Sequence, residues 1–241
     1  MPLSILDLTL SNPHKNLACD EALLDWCERG EGGDILRFWE SPDYFVVLGY
    51  TKAREAEVDT AACRVQGVPI LRRTTGGGTV LQGPGCFNYS LILRIEGNPE
   101  LLGITETNRF IMERQRAALE RVLGEPVSVS GFTDLVWRGR KFSGNAQRRR
   151  QRFLLFHGTF LIDFDLELLA RLLRQPAVQP AYRAQRPHRE FVDNLHCSRD
   201  ELRSSLRAAW DANTVLESIP MAEIDGLAAS RYSSDEWNLK F

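Results

Sequence analysis

Residues 71–93 read LRRTTGGGTVLQGPGCFNYSLIL. Two arginines, Arg72 and Arg73, and two threonines lead into three consecutive glycines, Gly76, Gly77 and Gly78. Such a run is needed where the backbone takes positive φ or approaches a ligand more closely than a Cβ allows. The flanks, Val68 to Leu71 and Phe87 to Leu93, read as strands. Strand, glycine loop and strand with cations at the mouth make a platform for an anion or nucleotide; a tight hairpin without a ligand is the other reading. Gly78 is followed by Thr79-Val80-Leu81 rather than Lys-Ser/Thr opening a helix, so the loop is not a Walker A motif. A second strand follows instead of a helix, which excludes the dinucleotide fingerprint.

Around this stretch the chain has ordinary globular proportions. Its 241 residues suit one large domain or two small ones. A formal net charge of -2 gives no reason to expect nucleic acid as a partner. The five cysteines (Cys19, Cys27, Cys63, Cys86, Cys197) are odd in number and form no C-x-x-C pair, which fits a reducing, cytoplasmic setting. The first residues lack a charged n-region and an adequate apolar core, so no signal peptide is expected. No apolar run approaches membrane-spanning length.

Strands are expected over Ile5 to Leu10, Ile35 to Trp39, Phe45 to Leu48, Asp134 to Trp137 and Phe153 to Phe164. Helices are expected from an Asn16 cap through Glu28, over Arg54 to Ala62, Thr105 to Leu123 and Leu166 to Leu173, and from a Ser198/Glu201 capping box to Trp210. Gln175 to Pro187 reads as a connecting loop. Helices mixed with mostly non-βαβ strands give one α+β domain.

Arg138, Arg140, Lys141, Arg148, Arg149, Arg150 and Arg152 occur with no intervening acid, in what reads as a basic loop. A solvated charged surface is the ordinary meaning of such a run. Lys141, however, sits among Phe142, Ser143, Gly144, Asn145 and Ala146, a setting suited to a ligand-approaching turn. Its ammonium is a compact point charge for a phosphate or acyl oxygen. The outer arginines could form a positive rim for an acidic protein partner. Asp134 before the run is either a Mg²⁺ ligand beside phosphate-binding cations or an exposed strand-edge carboxylate. His157 reads as a core or turn histidine, with Gly158 and Thr159 making a ligand contact plausible.

Several separated stretches now fall into one order: Asn16-Leu17-Ala18-Cys19-Asp20, Trp39…Pro42…Val46-Val47-Leu48-Gly49, Arg72 to Gly78, Arg140 to Gln147, and His157-Gly158-Thr159. Over nearly its whole length the chain resembles the lipoate–protein ligase A family, within the biotin/lipoate ligase superfamily. The resemblance implies a mixed β-sheet flanked by helices, the class II synthetase-like fold, with residues 1–241 as a single catalytic domain. It implies that lipoate or octanoate and ATP with Mg²⁺ give an acyl-adenylate, whose acyl group passes to a lysine of a lipoyl acceptor domain. By that match Lys141 is catalytic. Asp20, Arg72, Arg73, Thr75, Gly76, Gly77, Gly78, Val80, Gln82, Asp134, Ser143, Gly144, Asn145, Ala146, His157 and Thr159 bind substrate or nucleotide, with Asp134 holding Mg²⁺ through the ATP phosphates.

Gln82 stands where the family often has His, and Cys86 where it often has Asn. The small C-terminal accessory domain of many members is expected to be absent, leaving a possible role for a separate accessory subunit or for a preformed acyl donor. One rival is an octanoyltransferase working through a cysteine thioester. Its nucleophile is expected near residues 130–135, where this chain has Ser130-Gly131-Phe132-Thr133. Cys86, the thiol near the glycine loop, is expected to be a packing residue. A biotin ligase is disfavoured by the form of the glycine loop. A non-catalytic lipoyl-domain binding module is disfavoured because Lys141 and the glycines are present.

Overall fold

The computed structural model describes residues 3–241; Met1 and Pro2, which open the segment read for a leader, lie outside it. Strand β1 (Ser4–Asp7) leads to helix α1 (Pro13–Glu28), then to β2 (Ile35–Trp39) and β3 (Phe45–Leu48). Two short helices, α2 (Arg54–Glu57) and α3 (Thr60–Gln66), precede β4 (Ile70–Arg72), β5 (Val80–Gln82) and β6 (Cys86–Arg94). The long α4 (Ile104–Leu123) is followed by β7 (Ser128–Ser130), β8 (Asp134–Trp137), β9 (Arg140–Arg149) and β10 (Phe153–Leu161). Helices α5 (Leu166–Leu172), α6 (His188–Phe191) and α7 (Arg199–Ala209), strand β11 (Thr214–Val215), and helices α8 (Met221–Leu227) and α9 (Asp235–Asn238) complete the order.

Eight strands form one mixed sheet in the order β11-β1-β2-β6-β10-β9-β8-β7, and three form a small sheet, β4-β3-β5. Only β1 pairs in parallel in the large sheet, with β2 and β11. The two strands flanking the glycine loop, β4 and β6, therefore lie in different sheets. The glycine loop itself joins β4 to β5 across β3 within the small sheet, so it is not the tip of a hairpin; the chain then changes sheets between β5 and β6.

Period-2 alternation gives the large sheet two apolar faces. On one, Phe87, Tyr89, Leu91, Leu154 and Phe156 pack with Ile111 and Leu119 of α4 and Leu202 and Leu206 of α7. On the other, Ile35, Ile92 and Leu155 meet Leu17, Leu23 and Leu24 of α1 and Val47 and Leu71 of the small sheet. The small sheet and α5 close a third cluster around Cys86.

Several boundaries differ from the sequence expectation for local reasons. Helix α1 starts at Pro13, with Asn12 Oδ1 accepting from the Lys15 amide at 2.9 Å; Asn16 lies inside the helix. The single helix expected over Arg54 to Ala62 is two, because Asp59 is extended and caps α3. The basic run is not a loop. It is strand β9, ten residues long and paired with both β8 and β10.

Candidate active site

The second face of the large sheet does not meet the small sheet everywhere. A cavity of about 650 Å³ remains between them, with the glycine loop on one side and residues 175–187 crossing the other. Its floor is the cavity face of three adjacent strands: Asn88 and Ser90 of β6, His157 and Thr159 of β10, and Gly144 and Ala146 of β9. Leu17, Trp39, Val47, Val80 and Leu81 supply an apolar wall, and the exposed Phe132 and Val178 rim the opening.

Simple alternation along β9 from Ala146 and Gly144 would turn Phe142 into this cavity and Lys141 away from it. The β8–β9 ladder is irregular here: Leu135 pairs with Ser143 but Val136 pairs with Lys141. This extra residue on β9 is a bulge, and it re-aims the side chains beyond it. Phe142 joins the main core, stacked on Phe160, and Lys141 lines the cavity. Gly144 leaves room for the folded-back lysine, since a Cβ there would lie 3.0 Å from Nζ. Lys141 Nζ is 2.7 Å from Asp134 Oδ1, and the hydroxyl of Tyr182 donates to Asp134 Oδ2 at 2.6 Å. Tyr182 was missed by sequence reasoning. It sits alone in a Pro- and Ala-rich loop with no periodicity to mark it.

The glycine loop is held from behind by Arg73. Its guanidinium donates to the carbonyls of Gly76 and Gly78 at 2.6 and 2.8 Å, and burial pushes its pKa down to about 10. Gly77 takes φ +89° over β9, and Gly49 lies against it: a Cβ on Gly49 would be 2.2 Å from the Gly77 carbonyl oxygen. Arg72, expected at the binding site, is outside the cavity wall and fully buried. It donates to the carbonyls of Gly49, Tyr50, Lys52, Trp237 and Asn238, pinning the last segment of the described chain to the small sheet.

Thr75, His157 and Asp20 form a buried relay behind the same loop. Thr75 Oγ1 is 2.7 Å from His157 Nε2, and His157 Nδ1 is 3.2 Å from Asp20 Oδ2. A carboxylate only accepts, so Nδ1 carries the proton and, in the neutral ring, Nε2 accepts from the threonine hydroxyl. Arg37 pairs with Asp20 Oδ1 at 2.7 Å and Ser90 donates to Oδ2 at 2.8 Å. Burial alone would raise the Asp20 carboxyl; the Arg37 guanidinium, His157 and Ser90 override it and hold it below the usual range. Asp20, Thr75 and Gly76 thus support the loop from outside the lining, whereas Gly77, Gly78, Val80, Gln82, Asp134, Ser143, Asn145 and His157 line the cavity. Gln82, Asn88 and Thr159 close on one another: Gln82 Nε2 donates to Thr159, Asn88 Nδ2 to Gln82 Oε1, and Thr159 to Asn88 Oδ1.

The family model for the lipoyl protein ligase A/B catalytic domain matches residues 12–210. The chain belongs to that family. Among similar proteins is the octanoyltransferase LipM of Geobacillus kaustophilus, 32% identical, the match covering 95% of this chain and 94% of that one. A provisionally named lipoate-protein ligase A of Aeropyrum pernix is also 32% identical, over 88% of this chain and 76% of its own. Among solved structures, a lipoate-protein ligase A bound with ATP superposes with TM-score 0.81 at 28% identity, covering 99% of both chains. A bi-partite lipoate protein ligase of Thermoplasma acidophilum, described with its E2 lipoyl domain, gives 0.79 at 28%, covering 99% of this chain and 96% of that one. The chain is an enzyme of this ligase and transferase class, and its fold is the α+β fold of these catalytic domains.

Asp134 has one oxygen on Lys141 and the other on Tyr182. Among the described residues no group of three His, Cys, Asp or Glu side chains gathers into a metal site. The outer arginines make contacts within the protein. Arg148 meets Glu21 at 3.6 Å and Arg150 meets Asp25 at 2.6 Å, while the Arg152 amide donates to the Glu28 carboxylate. Arg149, on the opposite face, donates to Thr107 and the Leu101 carbonyl. None of the five cysteines is among the residues lining the cavity. Cys86 is fully buried in the third cluster, and burial raises its thiol far above the usual range. No helix among the described residues is long and apolar enough to cross a membrane.

Proposed function

We propose that this enzyme transfers a lipoyl or octanoyl group from an acyl-adenylate to a lysine of a lipoyl acceptor domain. One observation carries the reading: Lys141 is turned into the cavity by the β9 bulge, beside the glycine loop, and no thiol is among the lining residues. The relatives named octanoyltransferases support acyl transfer as the reaction class, and the ATP-bound ligase supports a nucleotide as the activating group. A bound acyl-adenylate supplies a carbonyl already activated as a mixed anhydride. The apolar wall from Leu17 to Leu81 suits the acyl chain, and the Gly77–Gly78 backbone allows close approach of the acyl phosphate. Lys141 offsets charge that grows on the departing phosphate, a role that counts most where water is excluded. The acceptor amine forms the C–N bond as the acyl C–O bond breaks; the phosphate leaves with the electron pair, and the amine proton passes to water. Asp134 and Tyr182 hold the lysine in register, so much of the catalysis is positioning.

The test is the intact mass of a lipoyl acceptor domain after incubation with this enzyme and one of three donors. These are octanoate with MgATP, preformed octanoyl-adenylate, and an octanoyl thioester of a carrier protein. Acyl gain from preformed adenylate is the expected result. Gain from ATP as well makes activation autonomous; its absence leaves a transferase that needs a separate activating subunit. Gain from the thioester alone, lost in Cys86→Ser, would replace this reading with the cysteine route.

A further inference from the structure

Three residues on adjacent strands of the large sheet stand in one row: Tyr89 on β6, Gly158 on β10 and Asn145 on β9. The β8–β9 ladder pairs Leu135 with Ser143 and, continued by two residues, brings Thr133 opposite Asn145 at the end of that row. Side chains carry the pairing there. Asn145 Nδ2 donates to the Thr133 carbonyl, and the Thr133 hydroxyl donates to the Asn145 carbonyl at 3.1 Å. A carbonyl only accepts, so the Thr133 contact fixes Nδ2 toward β8 and leaves Oδ1 to accept from the Tyr89 hydroxyl, at 2.6 Å. The reach between them is open because residue 158 has no side chain. A Cβ on Gly158 would lie 1.7 Å from Asn145 Oδ1 and 2.9 Å from Tyr89 Cε1.

We propose that Asn145 is a positioning residue for Lys141 and acts through the Asp134 carboxylate; this rests on the Lys141 reading above. Asp134 follows Thr133 directly and is held from two directions. Ahead of it lies the bulge between Leu135 and Val136, and behind it the clasp between Asn145 and Thr133. The ion pair packs over bare backbone at Gly144, where a Cβ would lie 3.0 Å from Lys141 Nζ and 3.8 Å from Asp134 Oδ1. Outside β8 there is only the three-residue edge strand β7, joined to it by a turn with Gly131 at φ +59° and Phe132 91% exposed. An exposed edge turn is a part of a sheet that opens readily. Asn145 ties this turn to Tyr89, which is buried in the main core, and so fixes where Asp134 presents its oxygen to the lysine. Misplacing a reacting group by about 1 Å can cost on the order of 10²-fold in rate. Asp134 and Tyr182 still hold Lys141 when the clasp is lost, so a smaller loss is expected.

The experiment is a double-mutant cycle on the full chain, reading kcat and the KM for preformed octanoyl-adenylate with a lipoyl acceptor domain. Asn145→Ala lowers kcat about tenfold, with KM within about twofold of wild type. In the Lys141→Ala background the same substitution changes kcat by less than about twofold, because the group it positions is gone. Tyr89→Phe, which removes one hydroxyl and keeps the ring, lowers kcat about two- to fourfold with the same dependence on Lys141. An equal loss from Asn145→Ala in both backgrounds would overturn the proposal while leaving the Lys141 reading intact. A raised KM at unchanged kcat would make Asn145 a donor-binding residue and overturn it as well. Should Asn145→Ala not fold, unchanged kcat in Tyr89→Phe would overturn it alone. Wild-type kcat in Lys141→Ala would overturn both readings together.

Discussion

The two halves of β9 are built from similar residues and do opposite jobs. The outer half and the residue just past its end present Arg148 and then Arg150 to α1, where Glu21 and Asp25 stand four residues apart, with Glu28 beyond meeting the Arg152 amide. Two strand residues advance about 6.7 Å and four helix residues about 6.0 Å, so strand and helix keep step and each cation meets an anion. The inner half, past Gly144 and Ala146, loses that regularity at the bulge, and its one lysine faces a cavity. Regular alternation gives pairing and stability. Broken alternation gives a cation available to a ligand.

Substitutions that strike the two halves separately should give different readouts. The largest effect is expected at Asp20, where α1 reaches the cavity side. Asp20→Ala leaves Arg37 buried without its counter-charge and should cost about 3–5 kcal/mol in a denaturant titration. The same residue sets an acid dependence. Its folded carboxyl is held below the unfolded value of about 3.9, so its contribution is complete above that pH and is lost as pH falls through the folded value. Stability of the wild type should therefore decline in that acid window, and an Asp20→Asn protein should decline less. An equal decline in both would show that other carboxylates control acid unfolding.

Lys141→Ala comes next, with acyl transfer reduced on the order of 10²–10³-fold and thermal stability nearly unchanged. Gly49→Ala should lie below it. The new methyl group meets the Gly77 carbonyl, and overpacking of this kind costs about 1–3 kcal/mol, read as a weaker grip on the acyl donor along with a lower melting temperature. The smallest effect belongs to the outer half. Arg150→Ala removes a half-exposed pair worth about 0–1 kcal/mol, and transfer rates should match wild type. A large activity loss there would erase the division of labour along β9.

Much of the fold was readable because local signals were strong. Ile35–Trp39 and Phe45–Leu48 are apolar runs punctuated by Pro42, and both strands appear with the expected limits. The glycine run and Lys141 stood out because such runs and an isolated charge among small residues have few other meanings, and Gly77, Gly78 and Lys141 line the cavity; His157, read as a core or turn histidine, lines it too. What escaped reading depends on tertiary geometry. The basic run hid a strand, since seven cations suppress any apolar alternation; its signal was the match between Arg148/Arg150 and Glu21/Asp25, in two distant segments. Arg72 and Arg73 look equivalent in sequence, yet one pins Trp237 and Asn238 and the other braces the loop, because neighbours on a strand face opposite sides. The bulge that turns Lys141 inward, and Tyr182 bonded to its partner Asp134, arise from pairing register and a long connection that no local pattern encodes.

The central claim is that Lys141, and no cysteine, carries acyl transfer in this cavity. Its most direct test is a single-turnover reaction of preformed octanoyl-adenylate with a lipoyl acceptor domain, following the intact masses of acceptor and enzyme together. The account predicts that wild type acylates the acceptor, that Lys141→Ala is slower by at least a hundredfold, and that the enzyme never carries the acyl group. Transfer by Lys141→Ala at the wild-type rate, or an acylated enzyme appearing before the acylated acceptor, would contradict it.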